Sequence, residues 1–311
     1  MSAREWFGVY LRGVAMGAAD AVPGVSGGTI ALITGIYARL IDAVAGLDPR
    51  AFLALVGPVV RAPVDAAARR TVRDELVRMD VPFLCVLAVG VVSAVVTVAN
   101  VVQYALSAYP VATYAFFFGL VLASVLLLAS DVRLGTPRHA VVAVVGFALA
   151  FVASGPAQSH LPANPLTTFL VGALAICAMV LPGISGSLIL LTLGEYDRLT
   201  GAVHAATAAA LAGDVQGFGG PATTLVVFAC GALVGLLSFA RVVAWAFDHY
   251  RAATLTFLVA LMTGALRAPL RLALADVAAV DAVVVGRFVA LAFLGALIIV
   301  ALERASDGVG Y

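Results

Sequence analysis

Val22-Pro23-Gly24-Val25-Ser26-Gly27-Gly28-Thr29-Ile30 decides the reading of this chain, because it returns 159 residues further on as Leu181-Pro182-Gly183-Ile184-Ser185-Gly186-Ser187-Leu188-Ile189. The match continues at the same offset from Gly35, Tyr37, Arg39 and Leu40 to Gly194, Tyr196, Arg198 and Leu199. A second block, Tyr109, Ala112, Thr113, Phe116 and Leu120, recurs as Tyr250, Ala253, Thr254, Phe257 and Leu261. The repeat therefore covers half-chains, 1–156 and 157–311, joined in one integrated membrane domain. Each copy of the motif sets small and helix-breaking residues inside apolar sequence, and such interruptions in corresponding positions of two halves point to a binding site.

Composition supplies the setting. Hydrophobic residues make up 63% of the chain and charged ones 11%, against roughly 25% charged in an average soluble domain. This is the composition of an integral membrane protein. A net charge of +1 gives no reason to expect a nucleic-acid partner. Cys85, Cys177 and Cys230 each lie in an apolar run without metal-ligand spacing, so they read as packing residues, and no metal or cofactor is implied. No cleavable signal peptide is evident at the N-terminus.

Apolar runs near the ~20 residues needed to cross a bilayer occupy roughly Val81 to Leu106, Val111 to Ser130, His139 to Ser154, Ala222 to Phe247, Ala252 to Leu266 and Val283 to Leu302. Trp6 to Val22 and Thr29 to Ile41 are apolar too, but each is too short to span comfortably. A re-entrant helical hairpin suits them, with Pro23, Gly24, Gly27 and Gly28 at its tip, since unwound backbone is tolerated at membrane depth only where protein or a watery cavity covers it. The second copy runs from about Leu166 to Val180, breaks at Pro182 to Ser187 and resumes to about Leu193. The expected fold is thus all-α, with a re-entrant hairpin (6–45, then 166–200) and about three transmembrane helices in each of two repeats. Three spans per half make the repeats inverted in topology.

Arginine placement supports this arrangement through the positive-inside bias. With inverted halves, Arg4, Arg50, Arg61, Arg69, Arg70, Arg73, Arg78, Arg133, Arg138 and Arg251 share one face, while Arg198, Arg267 and Arg271 fall on the other. A multi-pass protein of the cell membrane with both termini cytoplasmic is expected. Within the basic loop 46–80, Val64, Ala68, Val72 and Leu76 recur at helical spacing beside Arg69, Arg70 and Arg73, the pattern of an interfacial amphipathic helix. A solvated helix that only sets topology would show the same pattern.

Chemistry must come from polar groups at membrane depth, where ionisable side chains are costly. Ser26, Gly27, Gly28, Thr29, Ser185, Gly186 and Ser187 lie at the tips, where hydroxyls cap outgoing helices and free N–H groups favour an anion. Arg39 and Arg198 follow the two breaks and are candidates for charge-assisted bonds to a phosphate. Asp20 and Glu195 are candidates for coupling, or for pairing with those arginines. The plainer alternative is that glycine and serine only permit close helix packing and the arginines snorkel to the interface.

At these residues the chain resembles the PopT-type undecaprenyl-phosphate translocases, long grouped as a domain-of-unknown-function family. The resemblance is carried by residues 17–29, Gly35-Ile36-Tyr37, residues 181–187 and Thr113-Tyr114-Ala115-Phe116-Phe117-Phe118-Gly119. It implies a flippase rather than an enzyme, one that returns a polyprenyl-phosphate carrier lipid, undecaprenyl or dolichyl phosphate, across the membrane after glycan transfer. The alternative is a polyprenyl-diphosphate phosphatase of the inverted-repeat membrane type, which uses a similar Pro-Gly-x-Ser-Arg-Ser tip. Here Gly27 and Gly186 stand where those phosphatases place arginine, and their paired glutamates are missing near the motif. Hydrolysis needs that charge stabilisation of the transferring phosphoryl group.

Overall fold

The computed structural model describes residues 2–307 apart from 21–24, 62, 64, 98, 133–134, 156–161, 163, 187–188, 191–192, 276 and 278–280. Among the described residues the chain is helical with no strands. The first motif gives α1 (Ala3–Asp20), α2 (Gly27–Ile33) and α3 (Tyr37–Ala45). Two surface helices follow, α4 (Pro49–Arg61) and α5 (Ala66–Arg78), then α6 (Val81–Thr97), α7 (Ala99–Ala108), α8 (Pro110–Leu128) and α9 (Pro137–Ala153). The second motif contains α10 (Pro165–Val180), a break, and α11 (Tyr196–Ala212). The chain closes with α12 (Val215–Ala265), α13 (Arg267–Leu274) and α14 (Ala282–Asp307).

Three stretches are long and apolar enough to cross a membrane, Pro110–Leu128, Gln216–Leu274 and Ala282–Ala301; two bent pairs, Gly27–Ile33 with Tyr37–Ala45 and Ala66–Arg78 with Val81–Ala94, raise the number to five. Six spans were expected from the sequence. Part of the difference lies in α12, whose backbone breaks at Tyr250 (φ −139°) and so joins two expected spans in one run. Part lies in α9, which at 17 residues falls just below the usual length.

Glycine decides which helices meet. A β-carbon at Gly13 would collide with the Leu87 carbonyl, and one at Gly90 with the Tyr10 carbonyl, so α1 and α6 pack backbone to backbone. The second half repeats the contact, with Gly172 against the Phe228 carbonyl and Gly231 against that of Phe169. Gly13 and Gly17 on α1, and Gly231 and Gly235 on α12, are small residues four apart, the spacing that lets membrane helices approach closely. Both pairs run parallel, since Gly17 lies against Val91 just as Gly13 lies against Leu87.

The remaining long helices pack across the halves. Gly295 of α14 abuts the Phe116 carbonyl of α8, and Gly146 of α9 abuts the Phe257 carbonyl of α12. Each half's last helix thus rests on the other half's middle one, and the buried cluster draws residues from both halves. The second sequence block marks an equivalent bend in both halves. The Thr113 hydroxyl donates to the carbonyls of Ala105 and Tyr109, and that of Thr254 to those of Ala246 and Tyr250.

The loop 46–80 is more structured and more apolar than its sequence reading. In α5, capped by Asp65 accepting from the Ala67 N–H at 2.8 Å, Ala68 is buried, Val72 and Leu76 are half-buried, and Arg69, Arg70 and Arg73 are exposed. Val64 lies outside the described residues. The strongest apolar exposure is on α4, where Phe52, Leu53, Val56, Val59 and Val60 all face outward. An outward apolar face on α4 is therefore paired with exposed arginines on α5.

Candidate functional site

The two motif breaks meet in the centre of the core. Ser26 ends the first break and caps α2, its Oγ accepting from the Gly28 N–H at 3.2 Å, because a side-chain oxygen there satisfies a donor left open by the helix end. The same hydroxyl donates to the Leu181 carbonyl of the second break at 3.3 Å. One turn on, the Thr29 hydroxyl accepts from the Gly183 N–H at 2.9 Å. Ser26, Thr29 and Ser185 are all buried, so these bonds form in a low-dielectric interior, where an unpaired polar group is costly. Gly183 adopts φ +89° and presses on the backbone of Met262, where a β-carbon would sit 2.7 Å from Cα. Only glycine suits that position.

Asp20 and Gly27 also come together. The Asp20 carboxylate accepts the Gly27 N–H at 2.6 Å, and a β-carbon on Gly27 would lie 2.6 Å from its Oδ2. In the second copy the Asp20 position is Met179, whose side chain fills the space beside Gly186. Gly28 faces the backbone of Val180, 3.0 Å from its carbonyl by the same test. The sequence-derived tip residues Ser26, Gly27, Gly28, Thr29, Ser185 and Gly186 are thus gathered in one place. Ser187 lies outside the described residues, as do Val22, Pro23 and Gly24.

The two arginines are elsewhere. Arg39 forms a bidentate pair with Asp80 (2.7 and 2.9 Å) and stacks on the Phe83 ring at 4.2 Å. Phe83 lies two turns before Gly90, which touches Tyr10 in the middle of α1, while the break follows the C-terminal end of α1. Arg198 donates to Glu195 from Nε at 2.6 Å and to the Thr168 hydroxyl at 2.8 Å. Thr168 is on the first turn of α10, about 20 Å along the helix from Leu181. Both arginines were expected beside the tips; among the described partners Arg39 meets Asp80 and Phe83, and Arg198 meets Glu195 and Thr168. Glu195 pairs with Arg198, and the Asp20 carboxylate accepts from the Gly27 backbone N–H.

Two features escaped the sequence reading. Tyr37 is only 1% exposed and its hydroxyl has no hydrogen-bond partner among the described residues. The motif Gly35-Ile36-Tyr37 was noticed, but nothing local signals that the ring is buried against Phe247. The second feature is a cavity of about 990 Å³ beside Leu181, between α9 and the bend of α12. Its walls come from elements far apart in sequence, so no local pattern announces it.

Among the described residues no group of His, Cys, Asp and Glu is arranged to hold a metal ion. A helical protein with several membrane-crossing stretches and paired helix breaks at its centre belongs to the class of multi-pass membrane transporters. The model of the VCA0040-like, undecaprenyl phosphate translocase-like family matches residues 16–286, and the chain belongs to that family. It is 36% identical over 262 residues to a polyprenyl-phosphate transporter of Vibrio cholerae, covering 84% of this chain and 77% of the relative. It is 27% identical over 274 residues to a polyprenyl-phosphate transporter of Staphylococcus aureus, covering 84% and 85% respectively. No solved structure matches the chain. Both relatives are named as transporters, and the family is described as translocase-like.

Proposed function

We propose that this protein moves a polyprenyl phosphate between the leaflets of the cell membrane, holding the phosphate between two re-entrant tips in inverted halves, with both termini cytoplasmic. The observation that carries the reading is the buried pair of bonds joining the two breaks, Ser26 to Leu181 and Thr29 to Gly183. Groups that satisfy each other there are the ones a phosphate would take over: two hydroxyls and the N–H groups of Gly27, Gly28 and Gly183. Exchange of one buried hydrogen-bond set for another keeps desolvation costs small in both states. Glycines at 27, 28, 183 and 186 let the backbone approach the ligand. Arg39 and Arg198 act by holding the motif bases in place, and Glu195 acts through Arg198. Asp20 occupies the Gly27 N–H until the anion arrives, and so couples the state of its carboxyl to loading.

Reconstitution into liposomes with a long-chain polyprenyl phosphate tests the reading. The parent is expected to speed exchange between leaflets, to leave a phosphate-free polyprenol unmoved and to release no inorganic phosphate from the diphosphate. Ser26→Ala with Thr29→Val is expected to reduce movement at least ten-fold, from the loss of two buried bonds at about 1 kcal/mol each. Exchange no faster than in empty liposomes overturns the proposal. The inverted arrangement is tested separately by cysteine labelling. An impermeant reagent is expected to reach Leu211→Cys from outside and Ala66→Cys only from inside, and labelling of both from one side overturns it.

A further inference from the structure

The cavity beside Leu181 has the form of an amphiphile site. Its walls are apolar, with Val142 of α9, Phe239 and Val243 of the first limb of α12, and Phe257 and Leu258 of the second. At one end the lining changes to Thr136, Arg138 and His139, with Arg138 exposed and His139 Nδ1 3.1 Å from the Thr136 hydroxyl. At the other end is Leu181, whose carbonyl takes the Ser26 hydroxyl. A long apolar slot with a cationic rim complements a molecule with one anionic head and a hydrocarbon tail. At about 990 Å³ it is at the upper end of the ~300–1,000 Å³ of small-molecule pockets, so it takes part of a long chain and leaves the rest in the bilayer.

We infer that this slot is a second, boundary site for the polyprenyl phosphate, with the phosphate on the Arg138–His139 rim and the first isoprene units along Phe239, Val243 and Phe257. The inference rests on the transport reading and adds a station to it. Its rim lies on the face that the arginine bias assigns to the cytoplasm, and its inner end abuts the tips, so a lipid there is one step from the central site. Ala246 and Ala253 add small apolar side chains to the wall beside Phe239 and Phe257. The occupant is a polyprenyl phosphate rather than bulk phospholipid because Leu181, whose carbonyl takes the Ser26 hydroxyl, is part of the wall; the two alternatives give different outcomes below.

The test places a photoreactive benzoylphenylalanine at Val242, an exposed wall residue, and for comparison at Val144, equally lipid-exposed on α9 but outside the slot. The full chain is reconstituted in phosphatidylethanolamine and phosphatidylglycerol with a radiolabelled long-chain polyprenyl phosphate. Capture at 242 is expected to exceed that at 144 at least ten-fold and to be competed by unlabelled polyprenyl phosphate but not by added phosphatidylglycerol. Arg138→Gln, on an exposed side chain, is expected to lower capture at 242 about ten-fold at low salt. Equal capture at both positions, or equal competition by phosphatidylglycerol or by phosphate-free polyprenol, overturns the boundary site. Leaflet exchange by the parent is followed in the same vesicles. If the parent moves lipid while capture is equal, the slot falls and transport stands. If the parent moves none while capture follows the expected pattern, the transport reading falls and the slot remains a polyprenyl-phosphate site.

Discussion

The two motifs share a backbone and differ in how they are held. Gly35 and Gly194 adopt φ of +72° and +71°, and each break is followed by the same turn, with the Ile36 N–H bonded to Ala31 and the Glu195 N–H to Leu190. On that common path the first motif places Asp20 beside its glycine and the second places Met179. The first anchors its arginine to Asp80, 41 residues away, whereas the second uses Glu195, three residues away, and Thr168. Tyr37 is buried and its counterpart Tyr196 is 37% exposed. Duplication has kept backbone geometry, which the left-handed glycines permit, while the charges have diverged. The halves are alike as scaffolds and unlike in electrostatics, so substitutions at matched positions are expected to have unequal effects.

The largest contrast is between the arginines. Glu195 is 3% exposed, so Arg198→Ala strands a buried carboxylate, and breaking such a pair costs about 3–5 kcal/mol. Arg39 and Asp80 have side chains 40% and 32% exposed, and a partly solvated pair of that kind is worth about 1 kcal/mol or less. Thermal unfolding in detergent is expected to show a large fall in Tm for Arg198→Ala and a small one for Arg39→Ala. Adding Glu195→Gln is expected to restore most of the Arg198→Ala loss. Equal losses at the two arginines would remove the asymmetry.

Next come the residues beside the tip glycines. Asp20→Ala leaves the Gly27 N–H without its acceptor, a loss of about 1–3 kcal/mol, and is expected to slow leaflet exchange as well as lower Tm. Met179→Leu is a volume-conserving swap expected to cost less than about 1.5 kcal/mol and to leave exchange near that of the parent. Reversal of this order would locate the functional carboxylate elsewhere.

The smallest effect is expected outside both motifs. Glu75 is held below the usual carboxylate range by its hydrogen bond to Arg78, on the exposed α5. A depressed carboxylate stabilises above its unfolded-state value and loses that contribution as pH falls through the folded one. Because Arg78 is exposed and Glu75 is partly solvated, Glu75→Ala is expected to leave both Tm at neutral pH and its decline in acid unchanged within error. A clear change would show that α5 is clamped more firmly than its exposure implies.

What the sequence determined was local. Proline and glycine at 23–28 and 182–186 forced interruptions, and the apolar runs set α8, α9 and the start of α14 to within a few residues, because backbone preference and hydrophobic length act over neighbouring positions. The bend at Gly35 was open to the same reasoning, since a left-handed glycine ends a helix, yet Thr29 to Ile41 reads as one apolar run until φ is known. Tertiary structure decided the rest. Arg39 was assigned to the tip because it follows the break closely, but its partner depends on where parallel packing of α1 and α6 puts Asp80. The bonds from Ser26 to Leu181 and from Thr29 to Gly183 join groups 155 and 154 residues apart, and the slot behind them is walled by two helices whose meeting is fixed by Gly146. A sequence states which groups need partners at membrane depth; only the packing of the helices selects which partners lie within hydrogen-bond reach.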